Sequence, residues 1–251
     1  MDCDTERFAV IADIHGNADA LAAVIADLRG QGVQAVVNLG DHFSGPLAAL
    51  ETADLLAGLD QVAIQGNHDR VLVTLAPEDM GLSDRLTHQA LDARALDWLR
   101  DLPAALLLGD VFLCHGTPAS DNTYWLETVA PSGAVTLAAR DVIAAQIGDS
   151  PAGLFLCAHS HVARRVDLPG GRVVVNPGSV GCPGFRHDIP HPHRIETGSP
   201  AARYAIMTRT PQGWASDLRA VPYDARRMAR LACRAGQGDW ARVIATGWLN
   251  R

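Results

Sequence analysis

Apolar runs of four or five residues alternate with segments of helical period along the first quarter of the chain. The first run, Phe8-Ala9-Val10-Ile11-Ala12, reads as a buried strand. Behind it Leu21, Val24, Ile25 and Leu28 recur at helical spacing, which predicts a helix over residues 18–29 with Asn17 as its N-cap and Gly30 and Gly32 as its stop. A second run spans residues 35–39. Pro46 then opens a predicted helix that reaches residue 57 and closes at Gly58, and a third run, residues 61–65, follows. Strand, helix, strand, helix, strand at this spacing predicts right-handed crossovers and a largely parallel sheet.

Residues 71–104 read as mostly helical, anchored by Leu96, Leu99 and Leu102 and stopped by Pro103. Apolar segments at 105–108 and 111–113 flank Gly109-Asp110, a hairpin signal. A polar stretch, 119–132, leads to a predicted helix near 134–147, and strands are expected at 153–157 and 172–175. Residues 182–200 are rich in Pro, His and Gly without periodicity and read as a long loop, a feature that in compact domains tends to be functional or mobile. Residues 203–208 and 214–221 read as a closing antiparallel pair across Pro211-Gln212-Gly213, and 224–249 as a helical tail. No repeat or linker divides the chain, so the expectation is a single domain over residues 1–251.

Composition narrows the possibilities. Apolar residues make up 48% and charged residues 20% of 251 positions, as in globular proteins with a substantial core. The net charge of −7, interrupted only by the short basic cluster Arg226, Arg227 and Arg230, argues against an extended nucleic-acid partner, which needs a basic footprint. That cluster reads most simply as a solvated helix face. There is no lysine, which excludes lysine-based catalysis. The five cysteines, Cys3, Cys114, Cys157, Cys182 and Cys233, are odd in number and lack C-x-x-C spacing. Cys114 and Cys157 lie within strand patterns as small hydrophobes, which fits a reducing compartment. The N-terminal residues carry no export-signal pattern and no apolar run approaches a membrane span, so a cytoplasmic protein without a membrane partner is expected.

The candidate chemistry sits where the apolar runs end. Asp13 and His15 follow the first run, Asp41 the second, Gly66-Asn67-His68-Asp69 the third, His115 the hairpin, and His159 and His161 the strand at 153–157. The i, i+2 pairs would share one side of an extended backbone. Each piece alone has an ordinary reading. Asp13 can cap a helix, Asp41 can make a turn, and His115 can be a hydrogen-bonded strand end. Together Asp13, His15, Asp41, Asn67, His115, His159 and His161 give seven potential ligands. That is too many for one ion with an open position, but suited to two divalent ions sharing a bridge. Metal ions would also supply the positive charge that an anionic substrate needs on an acidic protein.

This pattern resembles the calcineurin-like metallophosphoesterases, through Asp13-x-His15, Gly40-Asp41, Gly66-Asn67-His68-Asp69, His115 and His159-x-His161. The stretch Asn176-Pro177-Gly178-Ser179-Val180-Gly181 is similar to the small prokaryotic phosphodiesterase-like branch. The resemblance implies an α/β fold, a two-sheet sandwich flanked by helices with the active site at strand C-terminal ends. It implies that Asp13, His15 and His161 hold one ion and Asn67, His115 and His159 the other, bridged by Asp41. It further implies in-line attack on phosphorus by a metal-bridging hydroxide, with His68 as proton donor to the leaving alkoxide. Asp69 then either orients His68 or caps the next helix. The ligand set accepts Mn, Fe, Zn, Ni or Co, and the expected substrate is a small phosphate ester, with phosphodiesters ahead of monoesters. Alternatives are a nucleotidase or dinucleoside polyphosphate hydrolase and, outside catalysis, a protein-interaction scaffold.

Three departures from the family pattern stand out. Ala158 replaces the usual glycine before the His-x-His pair, and Phe43-Ser44-Gly45 stands where protein phosphatases carry Asp-Arg-Gly. His42 follows Asp41 and reads as a pocket residue or a solvent-facing loop histidine. The loop bearing Arg186, His187, His191 and His193 is longer than expected, and reads as a lid that offers an arginine to phosphate or as a surface loop.

Overall fold

The computed structural model describes residues 6–250; Cys3 lies outside them. In chain order the elements are β1 (Arg7–Ile11), α1 (Ala18–Gly30), β2 (Val36–Asn38), α2 (Ala49–Ala57), β3 (Gln61–Ala63), α3 (Asn67–Thr74), α4 (Leu82–Ala90), α5 (Ala93–Asp101), β4 (Ala105–Leu108), β5 (Val111–Cys114), β6 (Glu127–Val129), β7 (Val135–Leu137), α6 (Arg140–Ala145), β8 (Leu154–Leu156), β9 (Arg164–Asp167), β10 (Val173–Asn176), β11 (Gly184–His187), β12 (His193–Glu196), β13 (Ala202–Thr210), β14 (Gly213–Val221), α7 (Arg226–Arg234) and α8 (Gly238–Thr246). Two five-stranded sheets result, ordered β14-β13-β1-β2-β3 and β4-β5-β8-β10-β9. In the first, β1, β2 and β3 run parallel and β13 closes antiparallel on β1. In the second, β5, β8 and β10 are parallel between the antiparallel edges β4 and β9.

The period-two alternation of a strand explains the layering. Phe8 and Val10 of β1 join Leu113, Leu154, Leu156 and Val175 in a core between the sheets, while Ala9 and Ile11 point to the opposite core beneath α1 and α2. On the second sheet Phe112, Phe155 and Val174 turn outward to pack with Trp125 and Ile143. Central strands covered on both faces must be apolar throughout, which is why they stand out as unbroken runs. The expected two-sheet α/β sandwich is what folds.

Asn17 caps α1 as expected, its Oδ1 accepting from the Ala20 amide at 3.1 Å. Elsewhere the local reading needed correction. The expected helix at 134–147 begins as strand β7, paired with β6 in a hairpin, and becomes helical only at Arg140. The expected loop at 182–200 contains the hairpin β11–β12, and β9 was not anticipated. The helix expected from Pro46 starts at Ala49, because the amides of Gly45 and Ala48 are committed to Thr87 Oγ1 and the Gly16 carbonyl, both at 2.9 Å. Residues 71–104 divide into α4 and α5 with the end of α3 before them.

Candidate metal centre and catalytic cleft

The C-terminal ends of β1, β2, β5 and β8 converge with the first turn of α3 on one edge of the sandwich. Two groups of side chains able to hold a metal ion lie there, Asp13 with His15 and His161, and Asp41 with His115 and His159; within each group the ligand atoms lie within 4.8 Å of one another. All six residues are buried. Asn67 stands beside the second group, its Oδ1 3.0 Å from His115 Nε2. The structure therefore brings together all seven residues that the sequence marks as potential ligands.

The backbone reaches this arrangement differently from expectation. Asp13, His15, Asp41, His159 and His161 have φ between 51° and 66°, and these are the five non-glycine residues with positive φ among the described residues. The i, i+2 pairs are left-handed rather than extended. Such residues cost on the order of 1–3 kcal/mol each and persist where surrounding contacts over-determine them. Here the contacts are explicit. The amides of Asp13, Ile14 and His15 donate to the carbonyls of Gly40, Asp41 and Asp41 at 2.9–3.0 Å, stitching the β1 and β2 loops together. From the other side the Asn176–Cys182 loop clamps Asp13, whose carbonyl accepts from Ser179 Oγ at 2.7 Å and from the Gly181 amide at 3.1 Å. Gly181 is required for that approach, since a Cβ there would lie 1.8 Å from the Ile14 carbonyl oxygen.

The imidazoles are aimed. Nδ1 of His15, His115 and His161 each sits 2.7 Å from a backbone carbonyl, of Ser44, Leu39 and Cys182 respectively. A carbonyl only accepts, so each Nδ1 carries a proton and Nε2 is the ring nitrogen turned inward, where its lone pair is available to an ion. His15 Nε2 lies 3.3 Å from His161 Nε2, and His115 Nε2 lies 3.3 Å from Asp41 Oδ2. Both Asp13 carboxylate oxygens and His159 Nε2 are buried without a hydrogen-bond partner. Crowded, buried acceptors are unfavourable unless a cation lies among them. The donor set of carboxylates, imidazoles and an amide oxygen suits divalent transition ions. Burial pushes the His115 imidazolium down, but Asp41 and Asp13 outweigh it and raise its pKa to about 9, while burial lowers His15 to about 4 and His159 to about 3.

The Gly66–Asp69 corner is the N-terminus of α3 rather than a strand-to-loop turn. Gly66 is forced by proximity, since a Cβ would lie 2.3 Å from Asp41 Oδ1. The amide of His68, in the first turn of α3, donates to that same oxygen at 2.9 Å, so the positive end of the helix faces Asp41. The Asp69 carboxylate makes no hydrogen bond to the His68 ring. It accepts from the amides of Gly66, Asp41 and His42 at 2.9, 2.7 and 3.0 Å, and from His42 Nδ1 at 2.8 Å. Of the two readings of Asp69, capping is the one the geometry has. His42, expected in the pocket or in solvent, is fully buried beside Trp98 as Asp69's partner. His68 pairs instead with Asp84 of α4, Nδ1 to Oδ1 at 2.7 Å, and Ser44 Oγ donates to the same oxygen at 2.5 Å. Burial lowers the His68 pKa, but Asp41, Asp84 and Asp69 outweigh it and raise it to about 9.

A cleft of about 490 Å³ opens over these side chains, walled by Phe185 of β11 and by Asp239 and Trp240 of α8. A second hollow of about 330 Å³, lined by Tyr124, Val129, Ile189 and Pro190, adjoins it and shares Asn122, His159 and His187. Arg186 is not free for phosphate, because its Nε lies 3.3 Å from Asp239 Oδ2 and its Nη2 donates to the Asn250 carbonyl.

The family model for the calcineurin-like phosphoesterase superfamily domain matches residues 7–194. The chain belongs to this superfamily. Among solved structures it is similar to a metallophosphoesterase from Sphaerobacter thermophilus, with TM-score 0.73, 22% identity and coverage of 98% of this chain and 100% of that one. It is also similar to a hypothetical protein from Pyrococcus horikoshii OT3, with TM-score 0.73, 18% identity and coverage of 97% and 99%. At these identities the likeness is one of fold. An uncharacterised protein of Methanocaldococcus jannaschii is 38% identical over 61 residues, which span 24% of this chain and 25% of that relative. Helix α8, which supplies Asp239 and Trp240 to the cleft, lies beyond the residues matched by the superfamily model. Sequence reasoning gave no role to Ser44 and Trp240, which line the cleft, or to Asp84, which stands behind His68. Ser44 lies three positions after Asp41, a short spacing that could have marked it, whereas Asp84 and Trp240 sit in helical stretches with no local motif.

Proposed function

We propose that the chain is a dinuclear metal-dependent phosphoesterase that hydrolyses small phosphodiesters. In this reading Asp13, His15 and His161 hold one divalent ion, Asn67, His115 and His159 the other, and Asp41 bridges them. Bound there, the ions would supply Lewis acidity toward the phosphate oxygens and activation of the attacking water. The protein's own part is to fix its ligands through Nδ1–carbonyl bonds, to hold the helix N-terminus against Asp41, and to present His68 as proton donor to the leaving alkoxide. The observation that carries the reading is the convergence of two groups of buried carboxylate and imidazole ligand atoms, among which both Asp13 oxygens and His159 Nε2 have no hydrogen-bond partner.

Preference for a diester rests on the cleft. A diester has an organic arm on each side of phosphorus, and two hollows adjoin at His159. One is walled by Trp240 and Phe185, the other by Tyr124, Ile189 and Pro190. The cytoplasm is the proposed setting, since free Cys233 is exposed and Cys114 and Cys157 are buried thiols. Among the described residues no helix is long and apolar enough to cross a membrane.

The test is a screen of aryl monoesters, aryl and alkyl diesters, cyclic nucleotides and dinucleoside polyphosphates with Mn²⁺, Fe²⁺, Zn²⁺, Ni²⁺ and Co²⁺, alongside metal analysis of wild type and Asp41→Asn. Diesters should turn over best, and Asp41→Asn should lose both ions. A better rate with dinucleoside polyphosphates would overturn the substrate class, two ions retained by Asp41→Asn would remove the bridge, and no turnover without bound ions would leave a scaffold.

A further inference from the structure

We infer that Asp84 is the positioning residue for His68, an assignment that deepens the phosphoesterase reading and rests on it. Asp84 is the third residue of α4, where a carboxylate ordinarily turns back to cap its own helix. Here the N-cap is Gly81 and no capping box forms at α4. Asp84 is buried, and its carboxylate leaves its helix to engage groups from two other parts of the chain, His68 Nδ1 at 2.7 Å and Ser44 Oγ at 2.5 Å. Ser44 Oγ is itself 3.3 Å from His68 Nδ1.

The consequence is geometric. A carboxylate on Nδ1 holds the Nδ1 proton in either protonation state of the ring, so Nε2 is left facing the cleft. His68 lines that cleft, and its ring stands edge-on to His15 with centroids 5.6 Å apart. The ring therefore sits beside the metal-binding groups with one nitrogen committed and one available. Asp69, the neighbour in sequence, is fully occupied by three amides and His42. A carboxylate 16 positions from His68 does the orienting instead.

The experiment uses the metal-loaded full chain and its Asp84→Asn, Asp84→Glu, His68→Ala and Asp84→Asn/His68→Ala variants, assayed on diesters with leaving groups from p-nitrophenol to simple alkanols. Asp84→Asn should lose roughly 10–100-fold in kcat on poor leaving groups, the usual scale for removing an orienting partner. Little loss is expected with p-nitrophenyl esters, and none in metal content or KM. The double variant should lose no more than His68→Ala alone, and Asp84→Glu should recover part of the rate. Imidazole NMR of the metal-free protein gives a readout apart from activity: a protected Nδ1–H on His68 in wild type that is lost in Asp84→Asn. Equal losses across leaving groups, additive losses in the double variant, or an unchanged Nδ1–H signal would overturn the assignment. An inactive wild type with an intact Nδ1–H signal would overturn the phosphoesterase reading instead.

Discussion

Asp69 offers the sharpest separation of structural from chemical roles, because its place beside His68 in sequence suggests one role and its hydrogen bonds give it another. Its carboxylate is buried and accepts four hydrogen bonds, one oxygen taking the Asp41 and Gly66 amides and His42 Nδ1, the other the His42 amide. Replacing Asp69 with Asn turns one oxygen into a donor. In the orientation that loses least, the new amide NH₂ faces the His42 N–H, leaving one buried amide unpaired and three bonds without a charged acceptor. Hydrogen bonds to charged groups contribute about 1.5–3 kcal/mol and an orphaned buried donor costs about 1–3 kcal/mol, so Asp69→Asn should destabilise by roughly 2–4 kcal/mol. For a chain of this size each kcal/mol moves Tm by about 2–4 °C, which places the drop at roughly 5–15 °C. Urea and thermal unfolding measure it, followed by the leaving-group series at a temperature where the variant stays folded. The residual activity should keep the wild-type dependence on leaving group, because His68 keeps Asp84. An unfolding free energy within about 0.5 kcal/mol of wild type, together with a selective loss on poor leaving groups, would refute the capping role and return Asp69 to His68.

Metal removal should destabilise the protein without unfolding it. At a hundredfold excess over Kd each site contributes about 2.7 kcal/mol, so two ions contribute about 5.4 kcal/mol and Tm with EDTA should fall by roughly 11–22 °C relative to saturating Mn²⁺. Identical melting curves would argue against ions bound to the folded state. Trp240→Ala should raise KM about 2–10-fold for diesters with a bulky arm, the scale of an aromatic contact of 0.5–1.5 kcal/mol, and leave KM for a methyl diester unchanged. A uniform change across both substrates would remove Trp240 from the cleft wall.

Much of the fold was legible because the two sheets of the sandwich are covered on both faces. Such strands have no polar side to blur the pattern, and β1, β2, β5, β8 and β10 are buried apolar runs. What escaped lies at the margins. β9 begins with Arg164 and Arg165, which pair with Glu127 and Asp167, as an edge strand facing solvent allows. The hairpin β11–β12 carries Arg, His and Glu because it forms a two-stranded sheet of its own and packs on α8 and β7 rather than inside the sandwich. Residues 134–147 hold an alanine-rich helix signal, yet the first part pairs with β6, a tertiary contact that propensity does not see.

The site was legible in its residue types and not in its backbone or its pairings, and the reason is the same in both cases. Ligand identity is local information, carried by a short motif at the end of each strand. The left-handed conformations of Asp13, His15, Asp41, His159 and His161 are instead imposed by contacts between segments far apart in sequence. Asp13 is held by Gly40 on one side and by Ser179 and Gly181 on the other, while His161 is aimed by the Cys182 carbonyl. These bonds tie together loops far apart in sequence and leave the inward ligand atoms out, so the fold itself sets where the acceptors stand. The strain of the left-handed residues and the crowding of lone pairs are thus carried by the folding of the sandwich as a whole. A cation entering the site relieves the crowding without having to order the chain, which is the physical basis for expecting a metal-free protein that is folded, less stable, and already shaped to bind.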